Sequence, residues 1–163
     1  MRVIGMVGLL AAVLGCNGKG DDTGYSGADL WAEMDGYNTW EQPNGWTGVR
    51  PSCTQDHAAT VQVWANAVAM EAIAAGAGPF ADGAILVKES YGDDGSLRDV
   101  TAMRKMDGFA PDAGDWYWGR FSPAGDPGLE GAVAACSGCH GGSGFDYSFV
   151  AEQAPVADAA ECP

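Results

Sequence analysis

Gly83-Ala84-Ile85-Leu86-Val87-Lys88-Glu89-Ser90, followed by Asp93-Asp94-Gly95 and the run from Val100 to Met106, reads as strand, turn, strand. Aliphatic and β-branched residues without a 3.6-residue repeat suit a pleated, half-buried surface, and Asp-Gly is a hairpin signal. The acidic turn lacks the ligand spacing of a calcium loop, so a solvated hairpin is the simpler reading. Outward from this hairpin, Asp115 to Phe121 gives a further strand and Ala59 to Trp64 an earlier one. Asn66 can cap an Ala-rich helix that runs through Ala75 and stops at Gly76. Leu129 to Cys139 reads as a last helix. The pattern predicts an α+β domain, mainly antiparallel β-sheet with a few helices, and contains no internal repeat.

Cys136-Ser137-Gly138-Cys139-His140 closes that last helix. In an exported protein this pentapeptide attaches a c-type haem: two thiols at this spacing add to the vinyl groups along one porphyrin edge, and the adjacent imidazole ligates the iron. A zinc ribbon needs a second ligand pair, which the sequence lacks. One motif predicts one covalent haem c, with Cys136 and Cys139 as anchors and His140 as axial ligand. In the common electron-transfer cytochromes the motif lies early and a downstream Met completes the iron. Here only Gly141 to Pro163 follow, without a Met. A second ligand, where the iron has one, must therefore come from upstream. Met103 and Met106 are candidates, although core packing is the stronger reading of both. A four-helix bundle would need long 3.6-residue repeats, and the Gly- and Trp-rich sequence has none.

Arg2 and the apolar run from Val3 to Leu14 read as a signal peptide, too short for a permanent membrane span. The run ends in Val13-Leu14-Gly15-Cys16, which resembles a bacterial lipobox. That implies removal of residues 1–15, a lipid on Cys16, a flexible tether over 16–27 and one haem domain over 28–163. Asn17, rather than Asp, after the Cys points to the outer membrane, on its periplasmic face. The formal net charge of -14 argues against nucleic acid and anionic membrane surfaces as partners, so membrane contact is expected through the lipid only. If Cys16 carries lipid and Cys136 and Cys139 carry haem, Cys53 and Cys162 remain to form a disulfide in an oxidising compartment.

His57 before a β run, Gly83 to Glu89, Met103 to Met106, Asp115-Trp116-Tyr117, the late pentapeptide and Asp146-Tyr147-Ser148-Phe149-Val150 together resemble the cytochrome P-460 family, which includes the cytochromes c-prime-beta. The resemblance spans about Gly45 to Val150; Ala81, where relatives often have Pro, is a departure. It implies a β-rich, usually dimeric fold with five-coordinate iron open to small nitrogen compounds. Some members oxidise hydroxylamine and others bind nitric oxide without known turnover. It also implies that Lys88 matches the lysine that bonds to a porphyrin meso carbon in the enzymes. Strand phase agrees, since Ala84, Leu86 and Lys88 share one face.

Other assignments rest on the residues themselves. The aromatics of Trp116 to Phe121 fall on both strand faces and can wall a flat cofactor. Arg50, Arg98, Arg104 and Arg120 can pair with haem propionates, with Arg120 ranked first. Hydroxylamine oxidation releases protons, so Glu130 and Asp115 are candidate distal bases, as is His57, for which a structural role is the simpler reading. Three functions stay open: hydroxylamine oxidation or nitric oxide handling with electrons passed to a redox partner, nitric oxide binding without turnover, and simple electron transfer by six-coordinate iron.

Overall fold

The computed structural model describes residues 23–53 and 57–150. Its centre is a six-stranded antiparallel sheet whose spatial order follows the chain. The strands are β1 (Arg50–Pro51), β2 (Thr60–Ala65), β3 (Ile85–Tyr91), β4 (Leu97–Lys105), β5 (Trp116–Phe121) and β6 (Pro127–Gly131), with helices α1 (Gly27–Glu33), α2 (Ala67–Ala75) and α3 (Ala134–His140). The chain is α+β, as the sequence pattern predicts.

Register divides the sheet into two faces. Directly paired residues share a face, so Val63, Lys88, Thr101, Arg120 and Leu129 form one row across five strands. The next row on that face is Ala65, Leu86, Met103, Trp118 and Gly131. α2, Phe80 and Phe145 cover one end of this face. The opposite face, with Ile85, Val87, Val100, Ala102, Tyr117 and Phe121, is closed by Leu30 and Met34 of α1. Lys88 and Val87 therefore look to opposite sides, as alternation requires.

Local chemistry sets the helix ends. The Asn66 side chain accepts from Ala69 N–H at the start of α2, and Gly76 ends it with φ of 59°, in the left-handed region. Ser26 and Asp29 form a capping box at α1. Tyr25, Ser26 and Gly27, within the stretch read as tether, thus belong to the folded domain, and Tyr25 packs edge-on against Tyr117 at 5.0 Å. The helix expected over Leu129 to Cys139 is divided. Residues 127–131 pair with β5 as an edge strand, Gly131 turns the chain with φ of 89°, and only Ala134–His140 is helical. Cross-strand pairing with Arg120 outweighs the helical propensity of Leu129 and Glu130.

The segment after α3 is fastened to the sheet by one buried ion pair. Lys105 Nζ lies 2.8 Å from Asp146 Oδ2 and 2.8 Å from Gly114 O. Phe80 N–H donates to the same carboxylate at 2.8 Å, and the Trp116 indole N–H donates to Asp146 O at 2.9 Å. Removing one partner of such a pair leaves the other charge buried. Lys105→Met is expected to lower the unfolding free energy in urea by about 3–5 kcal/mol. Arg120→Met, which breaks the more exposed pair with Asp99, should cost no more than about 1 kcal/mol.

Candidate haem site

α3 is seven residues long, and its spacing places Cys136, Cys139 and His140 on neighbouring positions of one turn. Both cysteines are free thiols, Cys136 half-buried and Cys139 exposed. Burial pushes the Cys136 thiol pKa up, partly offset by Lys88. His140 Nδ1 is 2.8 Å from Tyr147 O. A carbonyl only accepts, so the proton lies on Nδ1 and the Nε2 lone pair is left for a metal. Trp118 and Phe149 flank the imidazole, with ring centroids at 4.8 and 5.3 Å.

Tyr147 O is aimed by an unusual stretch of backbone. Asp146 and Tyr147 have φ of 47° and 66°, uncommon for non-glycine residues and costly for a bulky one. The Asp146 hydrogen bonds hold this conformation, and the Tyr147 ring lies over Gly114, where any Cβ would overlap it. Gly114 itself has φ of 69°.

Cys136, Cys139, His140, Trp118 and Phe149 line a cavity of about 550 Å³ between α3, the sheet and the β1–β2 loop. Its floor carries Val63, Leu86, Lys88, Thr101, Met103 and Trp118. Trp118 Nε1 is a buried donor without a partner among the described residues. Two free thiols, a correctly tautomeric imidazole, a mostly apolar wall and a spare indole donor fit a flat, apolar macrocycle with a polar rim.

Lys88 lies on the floor, and burial pulls its pKa down to about 7, against opposing effects of Asp99 and Cys136. A large fraction of the amine is therefore unprotonated near neutral pH. Arg120 is on the wall with its guanidinium 2.8 Å from Asp99. Asp99, also in the wall, is a carboxylate that sequence reasoning missed, because the strand was started at Val100; extending the alternation back from Met103 through Thr101 finds it. His57 lines the cavity too. Burial, together with the charges of Lys88 and His140, pushes its pKa down to about 3.

The structure does not bring the remaining candidates here. Glu130 is in β6, not on a helix, and its carboxylate accepts from Gly27 N–H at 2.6 Å at the start of α1. Its distal-base role is corrected: strand alternation sends it to the sheet face opposite the cavity. Asp115 sits in a turn and accepts from Ala110 N–H. Arg104 pairs with Glu33 over Tyr25, and neither Arg50 nor Arg98 reaches the wall. Met103 does, whereas Met106 packs on the other face. Cys16 and Cys162 lie outside the described residues.

The profile of the family described as Cytochrome P460 matches residues 35–149. The chain belongs to this family. Membership in the cytochrome P460 family brings a haem cofactor with it, and the match includes every cavity-lining residue named above. No curated protein matches the sequence.

The Tyr147 carbonyl raises the basicity of His140, and with a haem iron held at Nε2 a more basic imidazole would favour ferric over ferrous iron. Gly114→Ala, which displaces the Tyr147 ring, is expected to raise the haem reduction potential in spectroelectrochemical titration. An unchanged potential in folded protein would show that the carbonyl contact does not tune the site.

Proposed function

We propose that this cytochrome P460 family member is an exported monohaem c-type protein that oxidises hydroxylamine or handles nitric oxide. The observation that carries the reading is the placement of Lys88 on the floor of the cavity that Cys136, Cys139 and His140 also line. Haem bound there supplies a redox-active iron that takes a small nitrogen donor and removes its electrons. Cys136 and Cys139 would hold it covalently, and His140 Nε2 would ligate its iron. Lys88, with its depressed pKa, presents a free amine toward the porphyrin edge. Asp99 is the cavity carboxylate able to take protons released by the substrate, and Arg120, held by Asp99, is the cation nearest to hand for a propionate. Electrons leave to a redox partner.

Two outcomes are expected. Haem should stay with the polypeptide after acid-acetone extraction and be lost when Cys136→Ala and Cys139→Ala are combined. Hydroxylamine should reduce an artificial acceptor through the holoprotein, and Lys88→Ala should lose at least about 10-fold in turnover while keeping haem, the scale of one positioned group in catalysis. Nitric oxide binding with no acceptor reduction in the wild type would assign the chain to binding without turnover.

The proposal extends to location: a protein anchored through lipid on Cys16 at the periplasmic face of the outer membrane, with Cys53 bridged to Cys162, and acting as a homodimer. Labelled palmitate is expected to enter the wild-type protein in a Gram-negative host and not Cys16→Ser. A mature N-terminus elsewhere by mass spectrometry would refute the anchor.

A further inference from the structure

A run of aromatic rings leads from the cavity to solvent on the other side of the sheet. The rings packed around the His140 imidazole are His57, Phe149 and Trp118, and of these the indole gives up an electron most readily. Its centroid is 4.8 Å from that of His140. Trp118 faces the cavity, and strand alternation sends its chain neighbour Tyr117 to the opposite face. There Tyr25 meets Tyr117 edge-on at 5.0 Å. Tyr25 and Glu33 lie ahead of the matched residues 35–149, so the family match does not account for this end of the run.

The two ends differ in what can become of a proton. The Trp118 Nε1–H is buried without an acceptor among the described residues. The Tyr25 hydroxyl donates to Glu33 Oε2 at 2.6 Å, and Glu33 is exposed. Burial and Glu33 push the Tyr25 pKa up, so the resting phenol keeps its proton. Arg104 Nε donates to the same Glu33 oxygen at 2.7 Å, and its guanidinium lies over the Tyr25 ring, 5.2 Å from the centroid. A cation there favours an electron-rich ring and opposes a positively charged one. A phenol so placed loses an electron only together with its proton, for which Glu33 is the acceptor. An oxidising equivalent therefore passes through Trp118, where the proton cannot leave, and comes to rest on Tyr25, where it can.

We propose that Trp118, Tyr117 and Tyr25 form a route by which the chain returns an electron to an over-oxidised haem, and that Tyr25 is the residue oxidised. The proposal rests on the haem reading above. The oxidant is a peroxide, which binds where the small nitrogen donor would. Hydrogen peroxide takes two electrons from the haem site and two protons from solvent, its O–O bond breaks and two waters form. Tyr25 then sends one electron back along the run, its O–H bond breaks and the proton passes to Glu33. The neutral phenoxyl left near the surface can be quenched by a soluble reductant. Tyr37 is also bonded to a carboxylate, that of Glu89, but its ring packs on Trp64 and Trp31, so it serves as the control.

The test mixes ferric holoprotein with hydrogen peroxide and freezes the sample for electron paramagnetic resonance. The wild type should show a neutral tyrosyl radical, whose signal narrows when the protein carries ring-deuterated tyrosine. Tyr25→Phe should lose that signal and bleach its haem faster, as should Trp118→Phe, whereas Tyr37→Phe should keep the wild-type signal. Glu33→Gln, which leaves a hydrogen-bond acceptor but no base, should lower the radical yield. A tyrosyl signal that survives Tyr25→Phe, or a wild type without a protein radical, overturns the proposal and leaves the haem reading intact. If Tyr25→Phe does not fold, spin trapping in the wild type decides alone: the nitroso adduct must map to the peptide that carries Tyr25. Failure to retain covalent haem in the same preparation overturns both.

Discussion

The contact between Lys105 and Asp146 is the constraint on which the site depends. It joins β4 to the segment after α3, and each partner is fully engaged: the ammonium by a carboxylate and a carbonyl, the carboxylate by an ammonium and an amide N–H. A buried pair is tolerable only when its remaining bonding capacity is met in this way. The same anchor imposes the left-handed backbone at Asp146 and Tyr147, which turns the Tyr147 carbonyl to His140. A charge pair on one side of the sheet thus fixes a ring tautomer at the cavity.

Strand alternation does the rest. Each strand of the meander gives alternate residues to two separate cores, so α1 seals one face while the other is only half covered by α2 and Phe80. The uncovered half is the cavity. Its polar members, Lys88, Thr101, Arg120 and Asp99, come from three adjacent strands and are neighbours only because pairing aligns them. An apolar floor with a few aligned polar groups is the usual make-up of a cofactor pocket.

Much of this was legible in the sequence, and the failures have physical causes. The strand containing Lys88, the Asn66 cap and Gly76 stop, and the α+β class follow from periodicity and turn chemistry, which are local. Lys88 could be phased to one face but not assigned to a cavity, since the register that sets it beside Thr101 joins residues far apart in the chain. Glu130 was misread because Leu129 and Glu130 favour helix in isolation, whereas pairing with β5 decides their state. α1 was missed because its short capping box lies in a Gly-rich stretch whose composition suggests a tether. Asp99 was lost to a strand boundary placed three residues late, an error within the usual uncertainty of element ends read from sequence.

The sequential order of the strands bears on assembly. Every strand pairs with its neighbour in the chain, so the sheet is a series of local hairpins whose closure needs nothing from α3 or from residues after it. The thiol-bearing turn is the last helix of the described chain, and it packs over a floor built by the earlier strands. A rigid macrocycle too wide to slip between packed layers can be laid on that floor while the C-terminal segment is still open. Docking of Asp146 onto Lys105 then fastens that segment against the sheet.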